Sequence, residues 1–280
     1  MNIIRSLALA ATLGLVAAQA QAASVLVVLS DADRLDLKDG KVFHTGFYLN
    51  ELMQPVKRLL DAGHDVTFAT PNGLAPTLDM SSDDNVYFNN DEAAHLAHKA
   101  LLDKLQLTSR THSPVISLKR AAQIGYQHFD ALYIPGGHAP MQDLLTSREV
   151  GQALKAFHSS NKPTALVCHG PIALLSTLPD AEGFTQQLAT SGRAAPQPGW
   201  IYEGYRMTVI SNAEENQAKT LLNGGVMKFW PQTALQQAGG KYSSNRVTFT
   251  PHVVTDRELI TGQNPASAMG VADELLKRLH

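Results

Sequence analysis

The run Ser24-Val-Leu-Val-Val-Leu-Ser30 constrains the fold more than any other stretch of this chain. It is a continuous series of valines and leucines with no apolar/polar alternation, the pattern of a central parallel strand buried on both faces. Shortly after it, Leu49, Leu52, Met53, Val56, Leu59 and Leu60 recur at helical spacing and stop at Ala62-Gly63, where glycine suits a helix end. His64 to Thr70 then reads as the next strand. Together these make a βαβ unit, whose crossover should be right-handed.

The same alternation returns later. Asp130 to Ile134 reads as a strand before Pro135-Gly-Gly, Ser147 to His158 as a helix, Thr164 to Val167 as a strand and Pro171 to Ser176 as a helix. Arg206 to Ser211 reads as a strand and Glu214 to Leu222 as a helix. The tail reads as strands at Arg246 to Thr250, Val253 to Thr255 and Glu258 to Thr261, then a helix from Pro265 to Leu279. Strands alternating with helices imply an α/β domain with a mostly parallel sheet covered on both faces. Two stretches break the pattern: Pro71 to Asn90, rich in Asp, Asn, Ser and Pro, and Asp180 to Tyr205, which carries Trp200 and Tyr202. Each is either a lid near the ligand-binding edge or a long solvated loop.

The N-terminus reads as a secretory signal: Arg5, an apolar run from Leu7 to Ala18, and the small-residue site Ala20-Gln-Ala22. The apolar run is too short to span a bilayer. We expect residues 1–22 to be removed and residues 23–280 to form one exported α/β domain, periplasmic or secreted, with no membrane attachment. Removal takes only Arg5 from 23 basic residues set against 25 acidic ones. The remaining chain is therefore weakly acidic and attracts neither nucleic acid nor an anionic membrane. With a single cysteine, no internal disulfide can form.

That cysteine, Cys168, lies where the strand Thr164 to Val167 hands over to a Gly-Pro pair and a helix-forming run. Helix N-termini favour anions, and thiolate is the reactive form of cysteine, so the position suits a nucleophile. Gly136 and Gly137 follow a strand and let backbone N–H groups approach a ligand. Met227, Phe229 and Trp230 read as packing residues. The acidic run Asp31 to Asp39 after the first strand is wrong for a phosphate loop, and the scattered histidines lack ligand spacing. No nucleotide, flavin, metal or other cofactor is expected.

Four segments, Thr45-Gly-Phe-Tyr-Leu-Asn-Glu51, Ile134-Pro-Gly-Gly-His138, Val167-Cys-His-Gly-Pro171 and Leu259-Ile-Thr-Gly-Gln-Asn-Pro265, occur in the order that marks a family. From about Val25 onward the chain resembles the ThiJ/PfpI superfamily, and within it the heat-shock protein 31-like branch that includes glutathione-independent glyoxalases. The resemblance implies a flavodoxin-like sandwich with small lid insertions, often dimeric. It also implies a nucleophile at Cys168, a proton-shuttling partner at Glu51 and a histidine at His169. The acid completing the triad falls on Glu215, with Glu214 the near alternative. Both glutamates also open a predicted helix, where acids favour the dipole end without any catalytic role. The Gly137 amide with that of His169 would form an oxyanion hole, with Gly136, Gly170 and His138 lining the substrate site. Pro55, four residues after Glu51, cannot donate to the Glu51 carbonyl, so the helix either starts near Pro55 or breaks there.

The implied activity is conversion of methylglyoxal or a related small 2-oxoaldehyde to a 2-hydroxy acid through a cysteine hemithioacetal, without a cofactor. The alternatives are a stress chaperone, a redox sensor using an exposed, low-pKa thiol, or a cysteine peptidase or deglycase at the same site. A glutamine amidotransferase would need a late His-x-Glu, whereas His252 is followed by two valines.

Overall fold

The computed structural model describes residues 22–279. The expected signal segment, residues 1–22, lies outside them apart from Ala22. Strand β1 (Ser24–Val28) is followed by a small antiparallel hairpin, β2 (Arg34–Asp36) and β3 (Val42–His44). Helix α1 (Leu49–Asp61) leads to β4 (Asp65–Thr70). After several short turns come α2 (Glu92–Leu105), β5 (Ile116–Ser117), α3 (Leu118–Ile124) and β6 (Ala131–Ile134). Then follow α4 (Arg148–Ser159), β7 (Thr164–Val167), α5 (Ala181–Ser191), β8 (Arg206–Met207), α6 (Asn212–Ala218), α7 (Pro231–Ala238) and β9 (Lys241–Tyr242). The hairpin β10 (Val253–Asp256) and β11 (Leu259–Gly262) precedes α8 (Ala268–Leu276).

Seven strands form the central sheet in the order β10-β11-β7-β6-β1-β4-β5, parallel throughout except for the β10–β11 pair. The run beginning at Ser24 takes the middle of the sheet, where Val25 sits between Val66 and Ala131. Val25 to Leu29 and the whole of β6 and β7 are buried. Each such valine or leucine contributes about 1.5–3 kcal/mol through burial. Helices α1, α2 and α8 pack together as one layer, and α3 and α4 as another. No helix among the described residues is long and apolar enough to cross a membrane.

Several expected elements differ. Helix α1 neither starts at nor breaks at Pro55 but runs through it. The stretch after Cys168 is a 3-10 helix, Gly170–Thr177, buried along its whole length. Only Arg206–Met207 of the expected 206–211 strand is a strand, paired with β9 outside the main sheet. Beyond it, Thr208 N–H donates to the Thr261 hydroxyl rather than to a neighbouring backbone. The expected strand at 246–250 does not form, because side chains take its backbone donors: Val247 N–H bonds Asn245 Oδ1 and Phe249 N–H bonds Glu214 Oε1. The expected helix at 214–222 is α6 followed by a 3-10 turn, Lys219–Leu222, and the one at 265–279 is a 3-10 turn followed by α8.

Candidate active site

The carboxyl ends of β6 and β7 place the cysteine and the glycine pair side by side, at the sheet edge where open α/β folds bind ligands. Cys168 directly follows β7 with φ 58°, in the left-handed region. A non-glycine residue there is strained and persists only when its surroundings hold it. Two backbone bonds do so: Cys168 N–H donates to Gly262 C=O at 2.9 Å, and Ile210 N–H donates to Cys168 C=O at 3.1 Å. Cys168 Sγ lies 3.4 Å from His169 Nδ1.

Glu51 lies in the first turn of α1 and is fully buried. Its backbone carbonyl is the one Pro55 cannot serve, and the buried Tyr133 hydroxyl on β6 donates to it instead. A side chain from the sheet thus replaces the lost helix bond, so α1 continues and Glu51 is pinned over the ends of the strands. The Glu51 carboxylate accepts the Gly136 N–H at Oε2, 2.8 Å away. Its Oε1 meets no N–H or O–H donor, and the Cys168 thiol is the polar group beside the carboxyl. A Cβ on Gly136 would come within 2.5 Å of Glu51 Oε2 and 2.8 Å of Cys168 Cβ, so only glycine allows this approach.

Burial pushes the Glu51 carboxyl up from 4.5 to about 7, against the opposing pulls of the thiol, His169 and the Gly136 amide. Burial also pushes the Cys168 thiol well above its ordinary range, and the charges of Glu51, Glu215 and Glu214 add to this. The thiol is 2% exposed. The redox-sensor alternative called for an exposed, low-pKa thiol, whereas this one is buried and pushed upward. A buried 3-10 turn stands in place of the expected α-helix, and carboxylates surround the sulfur.

On the other side, His169 Nε2 lies 2.7 Å from Glu215 Oε1. Burial alone would raise the Glu215 carboxyl, but the His169 charge and hydrogen bond outweigh it and hold the group below the ordinary range. An ionised Glu215 accepts Nε2–H and leaves Nδ1 free to face the sulfur. Glu214 does something else. Fully buried, it caps α6 through Ser211 and accepts from Gln263, Asn264 and the Phe249 N–H. The two candidate acids thus occupy different places, and only Glu215 touches the imidazole.

His138 is buried with its ring centroid 4.3 Å from that of His169, and its Nδ1 has no partner. Burial, reinforced by His169, pushes it down to about 4, so the ring is neutral at physiological pH. One donor atom each from His138, His169 and Glu215 lies within 4.8 Å of the others, close enough to hold a cation. A cation there would compete with the His169–Glu215 bond. Gly137, at φ +83°, packs against Gly46, and a Cβ would meet its carbonyl at 2.0 Å. The Gly136 amide is committed to Glu51, and neither Gly136 nor Gly137 lines the cavity onto which Cys168 opens. Gly170 packs under the end of β6, where a Cβ would lie 2.6 Å from Ile134 O, and it does not line the cavity.

Cys168, His169, His138 and Glu215 open onto a cavity of about 630 Å³. Of the two irregular stretches, 71–90 contributes to its wall through Val86, Tyr87 and Asn89. The other turns its aromatic residues inward: Trp200 Nε1 bonds Leu174 O and Thr177 Oγ1, and Tyr202 is buried. Sequence reasoning missed Tyr48, Tyr87, Leu221 and Phe249 in the lining. Only Tyr48 carried a signal, since it lies three residues before Glu51.

The profile of the DJ-1/PfpI family matches residues 42–183. The protein/nucleic acid deglycase HchA of Staphylococcus aureus is 26% identical over 246 residues, 87% of this chain and 75% of the relative. Among solved structures, the Francisella tularensis rapid encystment protein of 24 kDa superposes with a TM-score of 0.67 at 23% identity, covering 92% of this chain and 99% of the other. Glyoxalase III from Candida albicans superposes with a TM-score of 0.66 at 17% identity, covering 92% and 98%. At these identities the two structures establish the fold.

Proposed function

Because this chain belongs to the DJ-1/PfpI family, we propose that it is a cysteine-dependent enzyme of glyoxalase type, converting a 2-oxoaldehyde and water to a 2-hydroxy acid without glutathione. One observation carries the reading: an unbroken chain of acid–base groups, Glu51, Cys168, His169 and Glu215, is buried around a thiol that opens onto a cavity. Glu51 as carboxylate takes the thiol proton while Sγ bonds the aldehyde carbon. The carbonyl oxygen takes up charge and is then protonated to the hemithioacetal. His169, oriented by Glu215, removes the C1 proton to give an enediol, and reprotonation at C2 yields a thioester. Water cleaves it, with hydroxyl going to the acyl carbon and the proton to sulfur. The test supplies purified protein with methylglyoxal in the absence of glutathione and measures lactate. Absence of turnover, or turnover that survives Cys168→Ser, overturns the reading.

Deglycation is the second reading, favoured by the name of the Staphylococcus aureus relative. Its substrate would be the adduct of a 2-oxoaldehyde with an amine, attacked by the same thiol at the same carbon with the amine as leaving group. Release of free amine from such an adduct, faster than its spontaneous loss of aldehyde, distinguishes the two. Redox sensing is less well supported, because a buried thiol pushed upward presents little thiolate to peroxide. Export is part of the proposal and rests on Arg5, the apolar run and Ala20-Gln-Ala22. An N-terminus at Ala23 in periplasmic material is the expected result, and full-length chain in the cytosol overturns it.

A further inference from the structure

The cavity over Cys168 is much larger than methylglyoxal needs. That molecule occupies on the order of 100 Å³, a few times the ~30 Å³ share of one water, against about 630 Å³ here. The extra space has a definite chemistry. At the mouth stand Val86, Leu221 and Phe249, which are 57%, 41% and 44% exposed. Scattered exposed apolar side chains are ordinary, but these three come from separate segments, the 3-10 turns Asn85–Phe88 and Lys219–Leu222 and the loop around 249, and converge on one cavity.

Phe249 is held in place at some cost. Its φ of 57° is in the left-handed region, unfavourable for an aromatic residue. Its N–H donates at 2.7 Å to Glu214 Oε1, the carboxylate that also accepts Ser211, Gln263 and Asn264. A fully buried acid one residue away from the His169 partner is thus committed to presenting an aromatic ring at the mouth of the site.

The charges at the site exclude another class of substrate. None of the residues lining the cavity is Lys or Arg. Within the lining the one carboxylate is Glu215, and Glu51 and Glu214 also act on the sulfur, whereas the cations Lys219 and Arg110 lie in adjoining pockets outside it. A carboxylate or phosphate on the substrate would find no cation in the lining and the like charge of Glu215.

We propose that the substrates are uncharged 2-oxoaldehydes bearing a bulky apolar arm of aryl size, which Phe249, Leu221 and Val86 hold while the aldehyde meets Cys168. This deepens the glyoxalase reading and rests on it. The buried arm raises kcat/KM for phenylglyoxal about tenfold or more over methylglyoxal, the scale of discrimination a hydrophobic pocket gives.

The test compares three aldehydes with the full mature protein: methylglyoxal, phenylglyoxal and para-carboxyphenylglyoxal, which matches the second in size but carries an anion. Phenylglyoxal is expected to lead and its carboxylate analogue to fall at least tenfold below it. In Phe249→Ser and, separately, Leu221→Ser, both changes at exposed positions, the phenylglyoxal to methylglyoxal ratio is expected to collapse. If all three aldehydes turn over equally, or the ratio is unchanged in both variants, the apolar-arm inference is overturned while the glyoxalase reading stands. If none turns over, the glyoxalase reading itself fails.

Discussion

Glu51 should destabilise the protein it serves, and the cost should grow as pH rises above the carboxyl's unfolded value and level off above its folded one. In the unfolded chain it titrates near 4.5, whereas in the fold burial moves it to about 7. A group whose pKa is raised by folding leaves stability intact below the unfolded value and removes it as pH rises through the folded value. Ionising buried Glu51 therefore costs the fold about 3 kcal/mol, of which about 1 is felt at pH 5 and nearly all at pH 8. Glu51→Gln keeps an oxygen for the Gly136 N–H and never ionises. Relative to wild type it should gain about 2 kcal/mol between pH 5 and pH 8, with the remaining titrating groups cancelling in the difference. Urea denaturation at the two pH values measures this. With a slope of about 2 kcal/mol/M, the variant midpoint should advance on wild type by about 1 M on going to pH 8. The same variant should be inactive, since its amide cannot take the thiol proton. A midpoint difference that is the same at both pH values, or that moves towards wild type as pH rises, would refute the buried-carboxylate argument.

Three further outcomes follow from the same geometry. If the Glu51 carboxylate is the base, kcat/KM should rise with pH through an apparent pKa of about 7, and a pH–rate profile flat between pH 5 and 8 would remove it from that role. Tyr133→Phe leaves the Glu51 carbonyl buried without a donor opposite Pro55, so chemical denaturation should show a loss of about 1–3 kcal/mol, while a neutral effect would mean that α1 does not need the bond. Zn²⁺ should inhibit turnover reversibly by taking His138, His169 and Glu215, with a chelator restoring activity and His138→Gln weakening the inhibition; equal inhibition of the variant would place the metal elsewhere.

The parallel strands were legible because burial on both faces leaves a local mark: Ser24 to Ser30 and Thr164 to Val167 read as strands, and the structure has strands at Ser24–Val28 and Thr164–Val167. The segment 206–211 also looked like one, but its donors go to the Thr261 hydroxyl and to Cys168 C=O, long-range partners that periodicity cannot reveal. Pro55 was noticed correctly as a missing donor, yet its consequence was misread. The substitute is a hydroxyl 82 residues away in sequence. Cys168, His169 and the glycine pair lie in short contiguous motifs and could be found from sequence. Phe249 could not, because an apolar residue in a β-like run gives no sign that its N–H will be captured by Glu214. The environment of the sulfur was hidden for a related reason: a local rule about helix ends says nothing of carboxylates brought in by α1 and α6.

The site's acid–base logic depends on two buried carboxylates pushed in opposite directions. The burial of Glu51 outweighs the pulls of the thiol, the His169 charge and the Gly136 amide, and so its carboxyl rises to about 7. Glu215 faces an imidazole at 2.7 Å, which more than offsets its burial, and so it falls. The lower acid stays ionised and fixes the His169 tautomer, while the upper one can exchange a proton near neutrality. A sulfur between them need not be a thiolate at rest, because a carboxyl that titrates near neutrality is already beside it. This also accounts for a lone cysteine placed in a pocket of carboxylates. The surrounding charge suppresses the free thiolate, and with it adventitious oxidation.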